Sequence, residues 1–546
     1  MTNDAVDQRP GAAGITVSVG ALAWGAAATA FVLLRLAFIW NAPVGGFELA
    51  GLSGAWQARI GETDARFVPT LFQALSAGLL YLSSSETPSR ILALLATCSV
   101  PAAVYLLRAR LGEAGALLTL LLLAVDAPAI ALGASGSAMG FDLPLALWLF
   151  VAYTRGDLPD WLWAAAAFAL ATTGPLPLPL IAAIIAISLL YRRYPTRNQA
   201  LALSAGTALG IAVASFRFGL GWDGLRVPPF VLFNAGFEQA WSSATAFELS
   251  LLYGVPILAA GLAAAVVVSF RAYRATAAAP HTLVLVAWAL LALIWLLASS
   301  QSQNPLPLVA LTLPLALLAG PALAEAAGAA ARADWHFARF LVPGAIFAAA
   351  LAVAQSLRWA RADKVGDASE RILVAGLLVM AVSALGYVAA NRKALPTLLV
   401  PALAAALFPL VAGTFGVVLS SPHEALPSPL SPSQARELRN IALETVGSEK
   451  GLLVVHPSFE QDITWSFRDS GTIIVASRVP ENASILIWPA NAPRPEGFNP
   501  LDGNWNLMQS PKLPTETPLQ YLRWFTNRNS LDITSKAASV YVREKQ

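Results

Sequence analysis

Residues Ala116–Phe150, ALLTLLLLAVDAPAIALGASGSAMGFDLPLALWLF, decide the fold class of this chain. Across that stretch the only formally charged side chains are Asp126 and Asp142, set in two apolar runs parted by the Gly/Ser-rich segment GASGSAMGFD. Each run has a length able to cross or enter a bilayer, and a water-soluble domain has no use for so much unbroken apolar surface. Reading outward, the same pattern holds from the N-terminus to about Pro422, over which only 42 charged residues occur. The last 124 residues carry 25, about double that density, together with frequent turn residues. The sequence therefore predicts a polytopic α-helical membrane body, residues 1–422, followed by a soluble tail, residues 423–546.

Bulk composition agrees. The chain has 546 residues, 57% of them hydrophobic, and a mean hydropathy of +0.62. Its net charge of +3 is no nucleic-acid footprint, because the Arg residues sit in short loops between apolar runs, where membrane proteins keep them for topology. Cys98 is the only cysteine, so intrachain disulfides and thiolate metal sites are excluded; it reads as a small buried hydrophobe. The first fifteen residues lack a positively charged start followed by a cleavage site, and the first apolar run is expected to remain as a span.

Thirteen apolar segments can be placed, near 16–40, 90–107, 114–132, 141–154, 161–173, 175–191, 199–219, 247–270, 281–299, 305–327, 340–357, 370–390 and 395–419. With a cytoplasmic N-terminus, the inner loops receive thirteen basic residues and the outer loops six. The positive-inside bias selects that orientation, in a cell membrane, with the tail extracytoplasmic. A full span at 68–85 would reverse the following loops and carry Arg108, Arg110, Arg192 and Arg193 outside. That stretch is therefore expected to be a membrane-hugging or re-entrant helix in the first outer loop, 41–88. A second long outer loop covers 221–246.

In the tail, GLLVVH (Gly451–His456), TIIVA (Thr472–Ala476) and SILIW (Ser484–Trp488) read as short strands. A helix-like segment lies between the first two, and Ala537–Val542 could close a small α/β domain. The Asn- and Pro-rich segment 499–518 is expected to be irregular. The tail discloses no chemistry by itself.

Hydrolytic and redox constellations are thin. The four His residues are scattered, HExxH is absent, and so is a Walker phosphate loop. Attention falls on two acids at the outer face: Glu48 in VGGFELAGLSGAW, and Asp142 in SGSAMGFDLPLALW. Two such carboxylates can activate an acceptor hydroxyl, or hold a divalent cation against a lipid-linked phosphate. The plainer alternative makes each a solvated loop acid or helix cap. Arg217 and Arg226 flank the second outer loop and could pair a phosphate, with interfacial anchoring as the plainer reading. Arg35, inside the first span, is expected to snorkel to the headgroups, and Asp126, before Pro128, to cap or kink its span.

Taken in order, the first 155 residues resemble membrane glycosyltransferases of the GT-C fold, the superfamily of protein O-mannosyltransferases and aminoarabinose transferases. The matching pieces are FVLLRLAFIW, GGFELAGLSGAWQARIG, FVPTLFQALSAGLLYL and SRILALLATCSVPAAVYLLRARLG, followed by the stretch quoted first. In the tail, ITWSFRDSGTIIV and LRWFTNRNSLDITSKAASVYVRE resemble a subgroup described as flippase-activity-associated proteins. The family's first-loop motif is usually an Asp-Glu pair, and here Phe47-Glu48 leaves Glu48 alone to be carried over. The second motif commonly sets Arg beside its acid, and here only Asp142 is kept.

The resemblance implies transfer of a sugar from a polyprenyl-phosphate donor to a glycan, lipid or protein acceptor, with Glu48 as base or cation ligand and Asp142 in support. Two other functions stay open: a catalytically degenerate protein that handles or helps flip lipid-linked glycans, and a secondary transporter. Membrane lipid is a partner in every case; nucleic acid is in none.

Overall fold

The computed structural model describes residues 18–41, 71–136 except 84, 139–155, 176–215 except 192–195, 253–298 except 274–278, and 306–332 of the membrane body. It also describes 48, 52, 55, 56, 59, 163, 410 and 413–418, and in the tail 437, 438, 440, 452–459, 465, 467, 473–501, 505–511 and 533–543.

Helix α1 runs from Val19 to Asn41. Next come α2 (Leu71–Leu79), α3 (Thr87–Thr97), α4 (Val100–Leu106) and α5 (Arg108–Leu111). Gly112, at φ 76°, adopts a backbone conformation costly for other residues and ends α5 at the basic turn. The chain continues through α6 (Glu113–Val125), α7 (Ala127–Gly133), α8 (Met139–Thr154), α9 (Leu178–Leu190) and α10 (Arg197–Ser215). Three long helices follow: α11 (Val255–Tyr273), α12 (Pro280–Ala298) and α13 (Leu306–Arg332).

Among the described residues, Val19–Asn41, Thr87–Leu106 and Leu308–Glu325 are each long and apolar enough to cross a membrane. A fourth crossing is added if α6 and α7 count together. The expected single span at 114–132 is in fact this broken pair, bent by 71° at Asp126. Asp126 makes no side-chain cap bond to α7, so of the two roles expected for it, the kink is the one observed. The segments expected at 340–357 and 370–390 lie outside the described residues. α2 has nine residues, a length of about 14 Å against a hydrocarbon core of about 30 Å, as a re-entrant or surface helix requires.

α13 forms the centre of the bundle, packing against α6, α11 and α12, while α1 packs on α6 and α9 on α12. The buried core is contiguous, from Phe31 and Phe38 of α1 through Leu120 and Leu123 of α6 to Trp288 of α12 and Leu313 and Leu317 of α13. Leu33, Leu95, Leu189, Val266 and Ile294 remain exposed on the outside, the distribution expected of helices whose solvent is lipid.

The tail contains a mixed six-stranded sheet: β1 (Leu452–Val455), β2 (Ile473–Val475), β3 (Ala483–Pro489), β4 (Phe498–Pro500), β5 (Trp505–Pro511) and β6 (Ile533–Arg543). β1 lies between β2 and β3, parallel to both. β6 runs antiparallel to β3 on one edge and to β4 and β5 on the other. Strands β4 and β5 correct the expectation of irregular structure over 499–518. Their Pro residues, Pro500 and Pro511, close the strands rather than interrupt them, and each pairs only with β6.

Candidate functional site

Pro88 is the second residue of α3, and its missing N–H costs nothing in a first helical turn. Ser89, Arg90, Ala93, Leu94 and Thr97 are buried, a stripe at helical spacing that turns one face of α3 inward. Glu48 pairs with this face, and the start of α8, which carries Asp142, packs on it.

Glu48 is helical and only 2% exposed. Its Oε1 accepts from Arg90 Nε at 2.6 Å and its Oε2 from Arg90 Nη2 at 2.8 Å, a bidentate pair. The Gly136 backbone N–H also donates to Oε1, at 2.8 Å. Arg90 Nη1 in turn donates to the Ile39 carbonyl near the end of α1, at 3.1 Å. One ion pair thus ties together α1, the first outer loop, α3 and the segment after α7. Position 136 must be glycine for this approach, since a Cβ there would stand 2.8 Å from Glu48 Oε1 and 3.3 Å from Ser89 Cβ.

Asp142 lies in the first turn of α8 and is fully buried. The start of α8 is pressed onto α3: a Cβ on Gly140 would stand 2.8 Å from Ala93 Cβ. The Thr97 hydroxyl lies 2.9 Å from the Gly133 carbonyl and 3.3 Å from that of Gly140, holding the two ends of the connecting segment together. The Glu48 segment therefore meets the first turn of α3 at Arg90, and the Asp142 segment meets the same helix further along, at Ala93 and Thr97. Their burial overturns the solvated-loop reading of both acids. Arg217 and Arg226 lie outside the described residues.

Sequence reasoning missed Arg90. The signal available was a lone cation in the opening turn of an apolar run, opposite in sign to the one acid of the preceding loop.

A divalent cation does not fit the described residues here. Both Glu48 oxygens already accept hydrogen bonds, a guanidinium stands against them, and no group of three or more His, Cys, Asp or Glu able to hold a metal occurs among the described residues.

A second buried polar cluster lies deeper. Arg35, expected to snorkel, is instead fully buried. It donates from Nη1 to the Phe31 carbonyl (3.0 Å) and from Nη2 to the Leu123 carbonyl (3.2 Å), with its guanidinium carbon 3.5 Å from the centre of the Phe31 ring. Phe31 and the bend in α6–α7 enclose it before it can reach the membrane surface. Asp126 Oδ2 accepts from the Thr312 hydroxyl of α13 at 3.0 Å, and the Thr414 hydroxyl bonds the Val125 carbonyl.

No protein-family model matches this chain, and no curated protein matches it at a significant level. Among solved structures, it is similar to ArnT from Cupriavidus metallidurans bound to undecaprenyl phosphate, at 14% identity and a TM-score of 0.53, covering 96% of this chain and 99% of that one. The apo state of the same ArnT matches at 15% identity, with the same TM-score and coverage. The chain shares the ArnT fold. This likeness supports the GT-C fold expected from the first 155 residues, and extends it over nearly the whole chain.

Proposed function

We propose that the chain is a membrane glycosyltransferase that moves a sugar from a polyprenyl-phosphate donor to an acceptor hydroxyl at the outer membrane face. The observation that carries this reading is an ArnT-like fold in which Glu48 and Asp142 are both buried and both belong to segments that contact α3. The solved ArnT structure holds undecaprenyl phosphate, which favours a polyprenyl-phosphate ligand here. Because Glu48 spends both oxygens on Arg90 and Gly136, we assign it to organising the site. Asp142 then takes the proton of the acceptor hydroxyl. The acceptor oxygen attacks the anomeric carbon, the bond to phosphate breaks with inversion, and polyprenyl phosphate leaves with the electron pair. The spans hold the isoprenoid tail.

The bidentate capture of Glu48 also favours a second reading, a protein that binds and relocates lipid-linked glycans without cleaving them. Purified protein in lipid nanodiscs, given radiolabelled polyprenyl-phosphate sugar and a membrane acceptor extract, separates the two. Labelled acceptor with stoichiometric release of polyprenyl phosphate is expected, and Asp142→Asn is expected to abolish it. Folded protein that binds the donor but releases no carrier overturns the transferase reading and leaves the second.

A further inference from the structure

Between positions 42 and 70 the described residues are Glu48, Leu52, Ala55, Trp56 and Arg59, each helical. Glu48 stands at one end of this set. Next along it, Leu52 and Ala55 are fully buried in a cluster with Ala77 and Leu80 from the α2 region and with Trp465 of the tail. At the far end, Arg59 Nη1 donates to the Leu80 carbonyl at 2.7 Å, its guanidinium lies over Trp56 and Tyr81, and the Tyr81 hydroxyl donates to the Arg59 carbonyl at 3.1 Å.

Trp465 is the distinctive member. It enters this cluster from more than 380 positions away in sequence. Two residues on, Phe467 is buried in the sheet core beside Leu453, Val455 and Phe459. Phe467 thus fixes the segment to the tail while Trp465 reaches the outer loop. Leu52 completes the connection, because a Cβ on Gly136, the Glu48 partner, would lie 3.5 Å from Leu52 Cδ2. One apolar side chain therefore belongs to the Trp465 cluster and stands next to the glycine that Glu48 holds.

We propose that Trp465 is a positioning residue for the acid site: the tail, through this indole, clamps the segment that carries Leu52 and Ala55 and thereby sets Glu48 against Arg90 and Gly136. A tryptophan suits the task, since it brings large rigid contact area with few rotatable bonds. The inference rests on the proposed function only in assigning Glu48 to the reacting site. The clamp itself is a statement about packing.

Its test uses the full chain in membranes, with Cys98→Ala removing the only native cysteine. In that background the pair Leu80→Cys and Trp465→Cys should form a disulfide on mild oxidation; no crosslink overturns the contact. A Ser89→Cys reporter, placed beside Glu48 at a fully buried position, reads the clamp without any enzyme assay. Adding Trp465→Ala should raise maleimide labelling at 89 by about ten-fold or more, the effect of releasing a locally closed region. Trp465→Phe should keep labelling near that of the parent. Unchanged labelling with Trp465→Ala overturns the proposal. Where transfer is measurable, Trp465→Ala should lower kcat with little change in donor KM, and Trp465→Phe should restore it. A positive labelling result in a protein without transferase activity sustains the clamp and rejects the proposed function.

Discussion

Arg90 grips Glu48 across 42 positions of sequence with two parallel contacts, 2.6 and 2.8 Å long, both side chains nearly excluded from solvent. Removing one partner of such a pair leaves an uncompensated buried charge, whereas removing both leaves mainly a packing defect. Arg90→Met is therefore expected to destabilise the protein by about 3–5 kcal/mol. Glu48→Leu combined with Arg90→Met should recover a large part of that loss. Unfolding in mixed micelles at graded denaturant checks both; equal destabilisation by the single and double changes would show that the pair is not coupled.

The proposed division of labour between the two acids makes a kinetic prediction. Glu48→Gln keeps an oxygen to accept from the Gly136 N–H but weakens the ionic grip of Arg90. It should therefore reduce transfer and also lower thermal stability. Asp142→Asn, nearly isosteric, should reduce kcat by a factor of about 10²–10⁴, the range lost with a general base, at a smaller stability cost. Carrier release and melting temperature measured on the same preparations decide the matter. If Asp142→Asn turns over like the parent, Asp142 is not the base.

The polytopic helical class was legible because bilayer physics writes it in one dimension, as long apolar runs. The two acids were legible as candidates for the same reason, each being a rare charge in an apolar setting. Their partners were not. Arg90 is separated from Glu48 by 42 positions, and Gly136 contributes only a backbone N–H, so neither leaves a local pattern. Arg35 was misjudged because snorkelling depends on whether a neighbouring helix blocks the route outward. The bend at Asp126 and the ring of Phe31 do so here. In the tail, β1, β2, β3 and β6 follow apolar runs, but β4 and β5 are polar segments recruited as neighbours of β6, a tertiary effect that overrides composition.

Arg35 and Asp126 supply a third prediction. Both are fully buried in the bundle, and each leaves one polar atom without a hydrogen bond, Arg35 Nε and Asp126 Oδ1. Arg35→Met, which gives up the bonds to the Phe31 and Leu123 carbonyls, and Asp126→Leu, which gives up the bond from Thr312, should each destabilise by about 1–3 kcal/mol. The double substitution should be less harmful than the sum of the two. A double-mutant cycle from unfolding midpoints measures the coupling; additive losses would show that the two groups do not sense one another.

The tightest helix contact in the bundle gives the last prediction. On α13, a Cβ at Gly320 would collide with the Thr119 hydroxyl oxygen and the Gly115 carbonyl oxygen of α6, and would stand 2.9 Å from the Thr119 backbone nitrogen. Two of these three atoms are backbone, so no rotamer change can relieve the overlap. The Thr119 hydroxyl, which bonds the Gly115 carbonyl at 2.9 Å and lies 3.3 Å from the Ala316 carbonyl, would be displaced as well. Because α13 packs on α6, α11 and α12, pushing it off α6 disturbs the whole core. Gly320→Ala should therefore destabilise by about 1–3 kcal/mol, the usual cost of overpacking, and Gly320→Val by more. Gly25→Ala in α1, where nothing lies within 4 Å of the added carbon, should be neutral or slightly stabilising, since alanine is the better helix former. Measured side by side in one detergent, a Gly320→Ala protein as stable as Gly25→Ala would show that α6 and α13 do not make this contact.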